Sequence, residues 1–401
     1  VIGGSERYTQ EIARRQVLDG HQATIVATDA VDLSALWNRR GRRVGPEAPD
    51  EHQGVRIRRL ATKCLPLGDY TFAALRRLTF LVSNLSGRAA LSLARFSPWV
   101  PGLQQVLEDE SADLLFAWNI TLENLSAAVA HEARRRDIPW IAVPLLHLSR
   151  GRFYTMRHQL SLVRGAQVIL AQTPSERKFM LERGIAADKV HIVSPGVDFV
   201  AGSRADGKRF RKKHGISGSL VLSLGALSYD KGTFHLLAAA QRLWKEGRHL
   251  VVVLAGPEQE DVRRELGRLP ERERVFCRHL GEIPEEEKWD AVDAADVVVM
   301  PSRTESFGIV FLEAWTCGKP VIGAQAGAIL DVIRDGIDGL LVGFGDAAGL
   351  ARALSRLLDD SALAADMGRR GREKVRRMYT WDRQYAQLRT IVDELGVKQD
   401  E

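Results

Sequence analysis

DVVVMPSRTESFGIVFLEAWTCGKPVIGA, residues 296–324, reads as strand, loop, helix and strand in 29 residues. The VVVM run is short, β-branched and apolar throughout, as a strand buried on both faces of a parallel sheet must be. It ends at Met300-Pro301. A polar loop leads to Ser306-Phe307-Gly308, which is expected to open an amphipathic helix running to about Gly318. PVIGA at 320–324 then returns as the next strand. Two strands joined through a helix run parallel, so the fold depends on how far this unit repeats.

It repeats along the whole chain. Toward the N-terminus of the second half lie LVLSLG (220–225), LVVVLAG (250–256) and VFCRHLG (275–281), and beyond it LLVG (340–343). The first half carries ATIVAT (23–28), VRIRRL (55–60), DLLFAW (113–118), WIAVP (140–144), QVILAQ (167–172) and VHIVS (190–194). A polar, basic stretch at 202–215 separates the two series. The expected fold is therefore α/β, with two Rossmann-like, doubly wound domains, and 401 residues accommodate both. We place them at 1–198 and 199–378. The tail 379–401 has helical periodicity and is expected to cross back onto the first domain. One anomaly stands out: residues 3–21 read as an opening loop and helix with no strand in front, so a first strand is expected upstream of Val1.

Composition bounds the function. With 45% hydrophobic and 27% charged residues the chain is globular, and no apolar run reaches the roughly 18 residues of a membrane span. Net charge is +6, and the excess is local: residues 51–100 hold 8 basic and 2 acidic side chains. A general polyanion binder would be less local, and the cluster Arg39, Arg40, Arg42 and Arg43 lacks an aromatic-interleaved recognition motif, so no nucleic-acid partner is expected. From Leu75 to Phe96, Arg76, Arg77, Arg88 and Arg95 alternate with apolar residues and no acid. The expected arrangement is a helical pair with apolar residues inward and arginines solvated; the other reading is a basic, apolar surface resting on an anionic bilayer. Cys64, Cys277 and Cys317 have neither disulfide nor zinc spacing. A reducing cytoplasm is expected, with peripheral contact at the inner membrane surface through the 51–100 region.

The chemistry returns to 301–324. Backbone N–H groups at the helix start, with Gly308 permitting close approach, form an anion site suited to a diphosphate. Glu305 lies at its mouth. Glu313 follows eight residues later, about 12 Å along a helix. A carboxylate is repelled by a diphosphate, so both glutamates are expected to accept hydrogen bonds from sugar hydroxyls. The phosphates are left to N–H groups and cations.

Glu305-x7-Glu313 within this segment resembles the nucleotide-sugar motif of the retaining family-4 glycosyltransferases, whose fold is the two-Rossmann GT-B architecture. LSLGALSYDKGTFHLLAAAQRL (222–243) is similar to the family's Gly-Arg-Leu-x3-Lys-Gly element, 182–198 to its interdomain segment ending Gly-Val-Asp, and 3–26 to its opening loop and helix. The resemblance is weakest at about 30–110. It implies that Glu313 binds the nucleotide ribose and Glu305 the transferred sugar. Lys231 would neutralise the diphosphate, with Ser306, Phe307, Gly308 and Ile309 at the helix start. Gly3 and Gly4 would approach the same diphosphate, and His147, after the fourth apolar strand of the first domain, would face the donor sugar. Glu305, His147 and Lys231 are the catalytic candidates.

One departure matters. Where the family has Arg, this chain has Ala226, and deleting one preorganised donor costs about 3 kcal/mol of leaving-group stabilisation. Arg303 and Arg7 are candidate substitutes. No Asp-x-Asp is present, and with Lys231 and a helix start available no metal or other cofactor is expected. The implied co-substrate is a UDP- or GDP-linked sugar bound mostly on the second domain, and the implied acceptor is a hydroxyl of a glycan, a lipid-linked intermediate or a small molecule. A non-catalytic nucleotide-sugar-binding GT-B subunit is the alternative.

Overall fold

The computed structural model describes residues 3–148 and 156–396. They form two compact units, one holding 5–146, 156–193 and 385–396, the other 3–4, 147–148 and 194–384.

The second unit is built on a six-stranded, wholly parallel sheet. Its strands are Ser219–Leu224 (β8), Leu250–Ala255 (β9), Cys277–Gly281 (β10), Val297–Met300 (β11), Val321–Ala324 (β12) and Leu340–Val342 (β13), counted after seven in the first unit. They lie in the order β10-β9-β8-β11-β12-β13. Five βαβ crossovers of one hand give this order when the chain starts in the middle, winds outward one way, then returns and winds the other. Both faces are covered. One buries Leu222, Val298, Phe311 and Trp315, the other Val221, Leu236, Val299 and Leu354.

The helix expected from Ser306 to Gly318 is shorter, Ile309–Thr316, and is not amphipathic: every residue from Val310 to Thr316 is buried. The reason is a second cover. The helix Ser361–Met378 closes over its outer side, where Gly371 leaves room for the Trp315 ring and Gly368 for the Gly318 carbonyl. Trp315 Nε1 donates to the Asp338 carbonyl at 2.7 Å, and Lys374 Nζ from the covering helix donates to Asp338 Oδ2 at 3.0 Å. A helix covered on all sides is apolar all round.

The first unit contains all six expected strands, but in two sheets rather than one. Thr24–Thr28 (β1) pairs parallel with Val55–Leu60 (β3), and Glu51–His52 (β2) adds an antiparallel edge. Leu115–Trp118 (β4), Trp140–Val143 (β5), Val168–Ala171 (β6) and Val190–Ile192 (β7) form the second, parallel sheet in sequence order. The two sheets share no strand pairing, and one further, first strand is expected in this unit from its sequence. The position expected for that strand, upstream of Val1, lies outside the described residues. Glu110 bridges the break, accepting from Arg58 Nε at 3.0 Å, Arg56 Nη1 at 3.4 Å and Thr24 Oγ1 at 3.4 Å. The opening helix Gly4–Leu18 is anchored by Tyr8, whose hydroxyl donates to the Val193 carbonyl at 2.7 Å.

The 75–96 stretch does form a helical pair, Asp69–Leu85 and Gly87–Ala94. The expected orientation of the first helix is wrong. Its buried residues are Thr79 and Ser83, while Leu78, Leu81 and Leu85 are exposed. Arg76 points inward, bonded to buried Glu123 at 2.6 Å.

The Trp315 contact sets a first test. An alanine methyl at position 371 would sit 2.0 Å from the indole, so Gly371→Ala is expected to destabilise the second unit by about 3 kcal/mol, read from its urea unfolding midpoint. Gly267→Ala, which meets nothing within 4 Å, serves as the control.

Candidate active site

In an open α/β sheet the crevice lies at the carboxyl ends of the two strands where the winding direction reverses. Here those strands are β8 and β11. The loop after β8 carries Lys231-Gly232 and the loop after β11 carries 301–308.

Gly232 brings them together. It has φ +78°, and a Cβ there would lie 2.4 Å from the Pro301 carbonyl oxygen. Arg303 N donates to the Asp230 carbonyl at 2.8 Å, closing the second point of contact. With the backbones so fixed, Lys231 Nζ donates to Glu305 Oε1 at 2.6 Å. The lysine side chain is 27% exposed and the glutamate 10%. This is a charge pair at the mouth of a crevice, neutral as a whole, with its cation on the wetter side.

The helix start follows. Gly308 has φ +95°, and a Cβ would meet the Phe311 ring at 2.8 Å. The helix begins at Ile309 with no side-chain cap, so its first N–H groups have no intrahelical acceptor. Phe307 is buried, while Ser306 and Ile309 are half-buried. Glu313, five residues into the helix, is buried and accepts from Lys288 Nζ at 2.7 Å. Lys288 also donates to Glu285 Oε1 at 2.6 Å, and Trp289 Nε1 reaches the same oxygen at 3.2 Å. Sequence reasoning missed Lys288. Its visible signal was the local Glu285-x-x-Lys288 spacing, whereas the partner that matters lies 25 residues away.

The proposed substitutes for the missing arginine differ in availability. Ala226 is exposed. Arg303 is bonded to the Asp230 carboxylate and lies over the Tyr229 and Phe344 rings at 5.7 and 5.5 Å. Its charge is therefore already neutralised. Arg7 sits in the opening helix of the other unit.

Gly3 and Gly4 are exposed, and Gly4 has the Ile309 side chain 3.5 Å from where a Cβ would be. His147 is half-buried just beyond β5 and is grouped with the β8–β13 unit. The residue before it is braced by Glu176, which accepts from Leu146 N at 3.0 Å and Gln172 N at 2.7 Å. Thr173-x-x-Glu176 reads as a capping box, yet only Thr173 caps its own helix. Burial pushes the Glu176 carboxyl up to about 7, against both backbone hydrogen bonds. Among the described residues no three His, Cys, Asp or Glu side chains converge as a metal site.

A cation, bare helix N–H groups and two buried carboxylates within one unit suit a ligand that is anionic at one end and hydroxyl-rich at the other. Residues 3–196 match the family described as "Glycosyl transferase 4-like domain" and residues 206–374 the family described as "Glycosyl transferases group 1". The chain belongs to the family-4 glycosyltransferases. Its GT-B fold is shared with Anabaena HepE, solved in complex with UDP and glucose, at TM-score 0.71, 18% identity and 98% and 97% coverage of the two chains. Sucrose-phosphate synthase from Thermosynechococcus elongatus is similar at TM-score 0.73, 21% identity and 98% and 94% coverage. In sequence, the D-inositol 3-phosphate glycosyltransferases of Pseudarthrobacter chlorophenolicus and Frankia alni are 34% and 35% identical over 230 and 212 residues. These matches cover 52% and 49% of this chain and 51% of each relative, so it spans about half the length of the curated relatives it matches.

Two measurements test this family-4 site as built. Lys288→Met leaves Glu313 buried without its cation and is expected to cost about 3 kcal/mol of stability, read by chemical denaturation. Glu176 titrates near 7 folded and near 4.5 unfolded, so its contribution is greatest below pH 4.5 and is lost as pH rises to 7. The loss amounts to roughly 3 kcal/mol, and Glu176→Gln is expected to flatten that part of the stability profile.

Proposed function

We propose that this chain is a retaining, metal-independent glycosyltransferase that moves a sugar from a nucleoside diphosphate to an acceptor hydroxyl. The observation that carries the reading is the Lys231–Glu305 pair at 2.6 Å beside the uncapped helix start at Ile309. One group can meet a phosphate and the other a hydroxyl, with their charges balanced before either binds.

In this reading the β-strand unit 199–378 is the donor domain and 1–198 the acceptor-side domain. Lys231 and the N–H groups of 306–309 hold the diphosphate, with Gly3 and Gly4 closing on it. Glu305 accepts from the sugar hydroxyls, Glu313 from the ribose, and His147 faces the transferred sugar. The anomeric C1–O bond to the diphosphate breaks while the acceptor oxygen bonds C1 on the same face. The acceptor proton passes to the departing phosphate oxygen. The protein supplies position and charge stabilisation, which is where most of the rate of such transfers originates. Uridine is the favoured base because HepE, a neighbour in fold, was solved with UDP and with UDP-glucose. The acceptor is read as a hydroxyl of a glycan, a lipid-linked or a small molecule; relatives are named for inositol 3-phosphate. Free Cys64, Cys277 and Cys317 suit a reducing, cytoplasmic setting.

The second reading, a non-catalytic nucleotide-sugar-binding subunit, is favoured by exposed Ala226 and by the commitment of Arg303 to Asp230. One experiment separates them. Nucleoside-diphosphate release from UDP- and GDP-sugars across an acceptor panel is expected for the transferase. Lys231→Ala should lower kcat roughly a hundred- to a thousandfold, and Glu313→Ala should weaken donor binding about tenfold or more. Donor binding by calorimetry with no release on any acceptor would establish the second reading, and Glu313→Ala binding the donor as tightly as wild type would sink both.

A further inference from the structure

The helix Asp69–Leu85 is inside out. Viewed down its axis at 100° per residue, Tyr70, Ala74, Leu78, Leu81 and Leu85 form one stripe, and Tyr70, Leu81 and Leu85 are 83%, 62% and 88% exposed. The opposite side carries Thr79 and Ser83, each 1% exposed.

The inversion has a cause on the inner side. Glu123 is fully buried and accepts from Arg76 Nη1 and from Gln159 Nε2, both at 2.6 Å, with His158 Nε2 at 3.3 Å. Ser83 Oγ meets His158 Nδ1 at 3.0 Å. A buried polar network of this kind demands polar neighbours. The helix therefore turns its hydroxyls and one arginine inward, and its leucines are left outside.

What covers the leucines is indicated by charge. From Tyr70 to Leu107 the chain has no acidic residue. Arg77 lies on the exposed stripe, exposed Arg88 just beyond the helix end, and exposed Arg157 donates to the Asn84 carbonyl at 3.4 Å. The arginines of β3, by contrast, are taken up by Glu110 and Asp50. A second copy seated on the stripe would set Arg77 and Arg88 against their own counterparts with no carboxylate between. A leaflet of anionic lipid offers hydrocarbon to the leucines and phosphates to the rim.

We propose that Asp69–Leu85 is a lipid-docking helix that lies in the headgroup region of an anionic bilayer, its leucine stripe down and Arg77, Arg88 and Arg157 on the phosphates. The proposal narrows the membrane contact expected for residues 51–100 to one helix face, and it is independent of the transferase reading, since a catalytically dead chain would bind equally.

Vesicle co-sedimentation tests it. With phosphatidylcholine vesicles containing about three-tenths phosphatidylglycerol the chain should sediment at low salt, and at least about tenfold less with phosphatidylcholine alone or in half-molar salt. Leu81→Glu/Leu85→Glu should lower binding about tenfold or more at an unchanged melting temperature, since both side chains are in solvent. Arg77→Gln/Arg88→Gln, which leaves the stripe whole, should do the same and carries the test independently of any folding defect in the leucine variant. Equal binding by wild type and both variants, no binding by wild type, or a concentration-dependent dimer dissolved by the leucine variant would each overturn the proposal.

Discussion

The approach of Gly232 to Pro301 is the constraint on which the donor-side unit depends. Parallel strands β8 and β11 lie side by side only because the winding reverses between them, and a reversal leaves the two following loops to diverge. A side chain at 232 would hold those loops apart, both by its left-handed φ and by the carbonyl 2.4 Å from its Cβ. Without one, a lysine from the first half of the sheet and a glutamate from the second become hydrogen-bonded neighbours. The charge pair is thus a product of topology and one missing methyl group.

The same economy governs the buried charges. Glu313 and Glu123 both sit in places where a lone carboxylate would be costly, and each has a cation within 2.7 Å. Replacing either pair by apolar residues could leave the fold as stable or more so. Their retention makes sense as positioning: Glu313 is pinned by Lys288 at a set point on the helix, and Glu123 gathers Arg76 from one helix and His158 and Gln159 from another. In the second case the consequence reaches the surface, because the inner polarity decides which side of Asp69–Leu85 faces water.

Much of this was legible in the sequence. The alternation of β-branched runs gave the strands nearly residue by residue, since a doubly covered parallel sheet leaves few other options for VVVM or LVVVLA. The family motifs imply that Lys231 and Glu305 serve one ligand, and the two side chains are hydrogen-bonded neighbours. What the sequence concealed was orientation. The helix Ile309–Thr316 looked amphipathic because its second cover, Ser361–Met378, is 45 residues further on. Leu78, Leu81 and Leu85 looked like core because apolar usually means inward, and the network that reverses the rule is assembled from residues 76, 123, 158 and 159. Lys288 and Glu176 were overlooked for a related reason: each has a local motif that suggests a nearby partner, while its decisive bond is long-range.

The enclosed helix has a consequence for how such a chain can change. Its eight residues fill the core on every side and also carry Glu313. A substitution there alters folding and ligand geometry together, and domains stable by only about 5–15 kcal/mol tolerate few of them. Exposed Ala226 and Tyr229, on the rim of the same crevice, carry no such double duty. Diversification of this architecture is therefore channelled to its loop tips, with the donor-side helix acting as a fixed anvil against which other parts are reshaped.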